Sequence, residues 1–208
     1  MERERFLARV RDALAGAQVP PLPSDLPPTF ATGDGRRFDR FAEELARAGG
    51  EPRRVPSDGV AHAVAELAKD AQRAVVGADV EPFRAAVEEG LRRAGCEPLP
   101  ATPRAAASAD LGVTGAVLGV ASTGSVLLRP GPGAPRSASL LPPIHLALLP
   151  EERIVAGFEE LVAAWPEHAG GSSQTVLVTG PSRTTDIERA LVRGVHGPLR
   201  VVVLVVAA

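Results

Sequence analysis

The closing run of the chain, Leu199-Arg200-Val201-Val202-Val203-Leu204-Val205-Val206, constrains the fold more than any other stretch. Its β-branched residues favour extended backbone, and Gly197-Pro198 just ahead of it launches a strand. Successive side chains of a strand point to opposite faces, so a run that is apolar at nearly every position has two faces to bury. The middle of a parallel sheet, covered on both sides, buries both.

The preceding segments supply such a sheet. Apolar residues at helical spacing predict helices through Phe38/Phe41/Leu45, Val60/Val64/Leu67 and Phe83/Val87/Leu91. Short strands are expected around Arg53–Val55 and Ala74–Gly77 and at Cys96-Glu97-Pro98-Leu99-Pro100. Strand and helix in alternation are the pattern of an α/β fold with a mostly parallel sheet. Residues 112–128, GVTGAVLGVASTGSVLL, read as two strands flanking a small-residue turn, and Ile144–Leu149 as a further strand after a Pro/Gly loop. Ile154, Phe158, Leu161, Val162 and Trp165 form a continuous helical stripe. The order then closes with a strand at 176–179, a helix at 184–193 and the apolar strand at 199–206.

Ahead of this unit, residues 3–15 place Phe6, Leu7, Val10 and Leu14 on one helical face. Residues 19–28, VPPLPSDLPP, cannot continue that helix, because proline lacks the amide and restricts its predecessor. The chain therefore divides into an N-terminal helix and Pro-rich linker, 1–30, and an α/β domain, 31–208. The apolar face of the arm has two possible covers, the main domain or another chain, the latter giving a homo-oligomer.

Composition removes several functions. Both charge signs are mixed along the chain, with a formal net charge of −2, so there is no basic stripe for nucleic acid. The N-terminus is charged from its second residue and lacks a signal-peptide core, and no run approaches the roughly 20 apolar residues of a membrane span. A cytoplasmic protein is expected. The single cysteine, Cys96, can form neither an internal disulfide nor an iron–sulfur centre. The only lysine, Lys69, lies on a helical pattern away from any Gly-rich loop, which argues against Schiff-base or P-loop chemistry. His62, His145, His168 and His196 lack the spacing of zinc ligands, and no metal site is expected.

Three loops carry candidate chemistry. Gly180-Pro181-Ser182-Arg183-Thr184-Thr185-Asp186 joins an expected strand to an expected helix, the position where open α/β sheets bind ligands. Thr185 and Glu188 fit a capping box. Arg183 beside a helix N-terminus is electrostatically awkward unless a carboxylate or phosphate sits there, held by Ser182, Arg183 and Thr184; an exposed arginine, or one paired with Asp186, is the alternative. Ala121-Ser122-Thr123-Gly124-Ser125 is a small hydroxylated turn that lets a ligand approach through Thr123, Gly124 and Ser125, or is turn chemistry alone. Gly194-Val195-His196-Gly197-Pro198 offers His196 as a ligand-binding or acid–base residue, against a plain loop histidine. The other candidates for acid–base work are His145, Asp186 and Asp110.

These motifs in this order, TGPSRTTDIE, GVHGP, ASTGSVLL and SLLPPIHLALL, resemble the lactate-utilisation protein C family and its LUD domain, from Phe38 to the C-terminus. The resemblance implies a three-layer α/β/α sandwich similar to the sugar-phosphate isomerase (NagB/RpiA) and coenzyme A transferase superfamily. It implies a non-redox subunit of a cytoplasmic bacterial complex that oxidises L-lactate to pyruvate with two iron–sulfur partner proteins, carrying no cluster of its own. The family often has Glu where this chain has Ser122, and a serine cannot form the acyl anhydride of a coenzyme A transferase. The alternative functions are an independent enzyme acting on a sugar phosphate, a folate or a coenzyme A ester, and a regulatory anion-binding module.

Overall fold

The computed structural model describes residues 2–16, 36–168, 174–185, 191–194 and 196–207. Its elements, in chain order, begin with helices α1 (Glu2–Leu14) and α2 (Arg37–Arg47), strand β1 (Glu51–Pro56), α3 (Val60–Ala68), β2 (Arg73–Val76), α4 (Arg84–Ala94) and β3 (Glu97–Leu99). There follow α5 (Pro103–Ala106), β4 (Leu111–Gly115), β5 (Leu118–Val120), β6 (Ser125–Leu128), α6 (Ser137–Leu140) and β7 (Ile144–Pro150). The chain ends with β8 (Ile154–Val155), α7 (Phe158–His168), β9 (Val176–Val178), β10 (Arg183–Thr185), β11 (Leu191–Arg193) and β12 (Arg200–Ala207).

Six strands form one sheet in the order β1-β12-β7-β4-β2-β3, and every neighbouring pair is parallel. The apolar closing strand lies between β1 and β7 and is buried on both faces, as its sequence requires. Val202, Leu204 and Val206 meet α3 and α4 through Val60, Val64, Leu67, Val87 and Leu91. Val201, Val203 and Val205 face the other way, onto Phe41 and Leu45 of α2 and Val126 and Leu128 of β6. Each fully buried side chain of this kind contributes roughly 1.5–3 kcal/mol. The architecture is thus a three-layer α/β sandwich with helices on both faces. The layer containing α2 also holds a four-stranded sheet, β8-β5-β6-β9, and α5 and α6 cover Val75 of β2.

Three expectations are corrected. Residues 112–128 are not two strands about a turn but parts of three: β4 joins the main sheet, the chain breaks at Ala116-Val117 as it leaves for the small sheet, and β5 and β6 pair there about the Thr123–Ser125 turn. The stripe from Ile154 to Trp165 is not one helix: Ile154 and Val155 pair with β5, and the helix starts at Phe158. The N–H of Ala156 donates to the Glu160 carboxylate at 3.0 Å, which fixes that start. Leu161 is buried, whereas Phe158 and Val162 face solvent. The helix expected at 184–193 is also absent at its described ends. Arg183–Thr185 and Leu191–Arg193 pair as antiparallel strands, with Thr184 opposite Val192. Residues 186–190, including Asp186 and Glu188, lie outside the described residues, as does the Pro-rich linker.

In the N-terminal helix, Phe6, Leu7, Val10 and Leu14 are all exposed. Among the described residues no helix is long and apolar enough to cross a membrane.

Candidate functional site

The three sequence motifs meet at the amino edge of the parallel sheet. The Thr123–Ser125 turn and the Thr179-Gly180 segment both sit against the last turn of α2, just ahead of β1. Gly124 has φ +65°, and a Cβ there would stand 2.6 Å from the Cα of Leu45. Gly180 has φ +71°, and its Cβ would stand 2.6 Å from the Ala48 carbonyl oxygen. Both glycines thus admit the helix backbone. Three hydroxyls link the loops: Thr123 Oγ1 lies 2.7 Å from Ser125 Oγ, which lies 2.5 Å from Thr179 Oγ1.

The TGPS and GVHGP segments are joined through backbone. The Ser182 N–H donates to the Pro198 carbonyl at 3.2 Å, and the Gly194 N–H donates to the Ser182 carbonyl at 3.1 Å. His196 is exposed in this loop. Thr123, Gly124, Ser125, Gly180, Ser182 and His196 therefore belong to one loop cluster, with Arg183 and Thr184 on the adjoining β10. Arg183–Thr185 are strand, so among the described residues no helix N-terminus stands beside Arg183. The cluster also lies at the opposite sheet edge from the one expected: β9 belongs to the small antiparallel sheet, and its carboxyl end points to the amino end of the main one.

The remaining acid–base candidates have structural partners. Asp110 Oδ2 accepts from the backbone N–H groups of Gln72 and Arg73 at 2.9 and 3.0 Å, fastening the start of β2. His145 is fully buried on β7, its Nε2 2.8 Å from Thr114 Oγ1 and its Nδ1 without a partner. Burial holds its pKa down to about 4, so the ring is neutral. A tautomer with Nε2–H donating to Thr114 leaves only an acceptor unpaired. Cys96 is buried, and desolvation, with Asp110 and Glu97 nearby, raises its thiol pKa.

A second site lies at the carboxyl edge and was not anticipated from the sequence. After β2 the chain crosses through α4 outward to β3, whereas after β4 it proceeds the other way, to β7. The adjacent carboxyl ends of β2 and β4 are therefore the topological switch point, where open α/β sheets form their ligand crevice. A crevice of about 350 Å³ opens there, lined by Asp79, Gly115, Ala116, Val117, Arg129 and Arg153. Two glycines seat Asp79: a Cβ on Gly77 would collide with Oδ1, and one on Gly115 would stand 2.7 Å from the Asp79 carbonyl carbon. Oδ1 is buried without a hydrogen-bond partner. Burial raises the Asp79 pKa, more than the Gly115 and Asp79 amides and the Arg84 charge lower it. The sequence signal was Gly77-Ala78-Asp79 directly after a buried strand, but Arg129 and Arg153 are too distant in sequence to be associated with it.

In two further crevices, one at the carboxyl edge and one at the amino edge, arginines meet carboxylates of the chain itself. In one, Arg54 makes a two-pronged contact with Glu151 at 2.7 and 2.8 Å, and Arg37 reaches the Ile154 carbonyl and Glu160. In the other, Arg200 makes a two-pronged contact with Glu51 at 2.5 and 2.7 Å. Among the described residues no group of three or more His, Cys, Asp or Glu side chains could hold a metal ion.

Known proteins share this organisation. The lactate utilization protein C of Deinococcus radiodurans is 29% identical over 97% of this chain and 93% of its own length. That of Macrococcus caseolyticus is 33% identical over 66% of this chain and 58% of its own, and that of Halalkalibacterium halodurans 36% identical over 49% and 46%. The chain thus spans about half the length of several curated relatives that it matches. A crystal structure of a DUF162 family protein from Deinococcus radiodurans superposes with a TM-score of 0.61 and 21% identity, over 82% of this chain and 96% of that one, which establishes a common fold. Since the LUD domain matches residues 38–206, from α2 through the buried closing strand, the chain belongs to the LUD domain family.

Proposed function

We propose that this chain is a non-redox subunit of a bacterial L-lactate utilisation system, acting in the cytoplasm with two iron–sulfur proteins. The observation that carries this reading is the nearly end-to-end similarity to the Deinococcus radiodurans protein named for lactate utilization. Chemistry is consistent with the division of labour. Oxidising a 2-hydroxy acid to a 2-oxo acid releases two electrons and two protons, and a chain with one cysteine has no dithiol to accept the pair. The buried Cys96 thiol stays protonated, which disfavours it as a metal ligand or nucleophile. In this reading the clusters reside in the partners. The loop cluster of Thr123, Gly124, Ser125, Gly180, Ser182, Arg183, Thr184 and His196 then meets a partner or a small carboxylate or phosphate at the amino edge.

An anaerobic pull-down from lactate-grown cells of the source tests the assignment. Co-purification of iron–sulfur proteins, with lactate oxidation in the eluate that is lost when this chain is deleted, is the expected outcome. A solitary protein, with lactate growth unaffected by the deletion, overturns it. Arg183→Ala is expected to weaken anion or partner binding by about 1.5–3 kcal/mol, the usual worth of a hydrogen bond to a charged group. Unchanged affinity by calorimetry removes Arg183 from the surface.

A further inference from the structure

We propose that α1 is a self-association element: two copies of this chain pair through it, antiparallel, with Glu4 of each copy facing Arg11 of the other. The cover of its exposed apolar face is thus a second copy of the chain, an assembly that goes beyond the subunit role proposed above.

The helix has a stripe to bury. Phe6 and Leu14 are each 63% exposed, and Leu7 and Val10 also face solvent. Among the described residues none of the four joins the core of the α/β domain. At 13 residues α1 has the length at which an isolated helix in water is marginal, so a partner that buries the stripe also stabilises the helix.

The stripe is complementary to itself. Arg3, Leu7, Val10 and Leu14 follow one another at steps of four, three and four, the seam of a two-helix pair. In an antiparallel pair Leu7 of one copy meets Val10 of the other, once on each side of the two-fold axis. One flank of that seam carries Glu4 and Arg11, and the same alignment sets each Glu4 beside the Arg11 of the other copy. The other flank carries Phe6 and Ala13, so a large side chain meets a small one. Arg3 falls at the C-terminal end of the opposite helix, where the dipole favours a cation. A parallel pair would instead stack Arg3 on Arg3 within the seam and set Phe6 beside Arg11.

Two other covers fit less well. A lipid surface selects a polar face rich in basic residues, whereas here Glu4 and Asp12 stand among Arg5, Arg9 and Arg11. On the domain, Phe158 and Val162 of α7 are exposed, but they offer one helical turn to a stripe that runs most of the length of α1. A seam about 20 Å long is short for a permanent dimer, so the dissociation constant is expected on the order of tens of micromolar.

Sedimentation equilibrium on the full chain, from about 1 to 300 μM to span that constant, tests the pairing. A reversible monomer–dimer equilibrium is expected. Glu4→Arg and Arg11→Glu should each weaken it by about tenfold, because each variant sets like charges together at both flank contacts. An equimolar mixture of the two variants should form a mixed dimer about as tight as the unaltered one, since arginine then meets glutamate at both contacts. Leu7→Glu should abolish pairing throughout the range. The melting temperature of the α/β domain, whose core α1 does not join, is the folding control. A chain that stays monomeric, a dimer that survives Leu7→Glu, or a mixture no tighter than either variant alone would each overturn the assignment. So would flotation of a monomeric chain with vesicles of phosphatidylglycerol and phosphatidylcholine, which would give the face to a lipid surface. Capture of iron–sulfur proteins is read separately in the pull-down, so the two proposals fail independently.

Discussion

At the residue scale, two buried ionisable groups determine how the protein responds to pH. His145 titrates near pH 4 when folded and near its ordinary value of 6.5 when unfolded. The unfolded chain therefore binds a proton first as pH falls. The stability associated with the neutral ring is complete above about pH 6.5 and is lost progressively between 6.5 and 4, to a total of about 3 kcal/mol. We expect the melting temperature to drop from pH 7 to pH 5, and His145→Gln to reduce that difference even if the variant is less stable at pH 7. An equal drop in the variant would mean that other groups carry the acid sensitivity. Asp79 has the opposite sign: its raised pKa makes the ionised form costly, so its contribution worsens as pH rises from its ordinary value of 3.8 through its folded one. Sequence could nominate His145 and Asp110 as titratable candidates, but it gave no means to see that Asp110 is occupied by two backbone amides.

At the element scale, the glycines of the two hydroxyl-rich loops are explained by α2. In Gly124→Ala, the left-handed backbone and the collision with the Leu45 backbone act together, and a loss of about 2–5 kcal/mol is expected. Gly131→Ala, where a Cβ meets only open space, is the matched control and should shift the denaturation midpoint little. The helices α2, α3 and α4 and the strands of the main sheet other than β4 were legible from their own apolar patterns, whereas β4 ran on in the sequence into β5. The β10–β11 pair was not legible: residues 184–193 have a locally helical apolar spacing, but in the fold Arg183–Thr185 pair with Leu191–Arg193. Tertiary pairing overrode a weak local preference, and the β-branched Thr184, Thr185 and Val192 suit the extended state it selected.

At the scale of the whole molecule, the class of fold was legible and the location of the crevice was not. Strand count and direction follow from apolar runs, but the order β1-β12-β7-β4-β2-β3 is a property of how they pair, and that order creates the switch point. The N-terminal helix carries its own test. Its apolar residues are exposed, so deleting residues 1–18 should leave the melting temperature of the α/β domain unchanged while altering the sedimentation of the intact protein. Unchanged sedimentation would exclude an assembly held by the arm. The eight residues of β12 span the sheet from the edge near His196 to the edge bearing the crevice. At about 3.3 Å per residue, that separates the two loop groups by roughly 25 Å. Over such a distance mutational free energies are normally additive within about 0.5 kcal/mol. A double-mutant cycle pairing Arg183→Ala with Arg153→Gln should therefore close to zero. A residual beyond that margin would show energetic communication through the intervening strands, making the parallel sheet a transmitter as well as a scaffold.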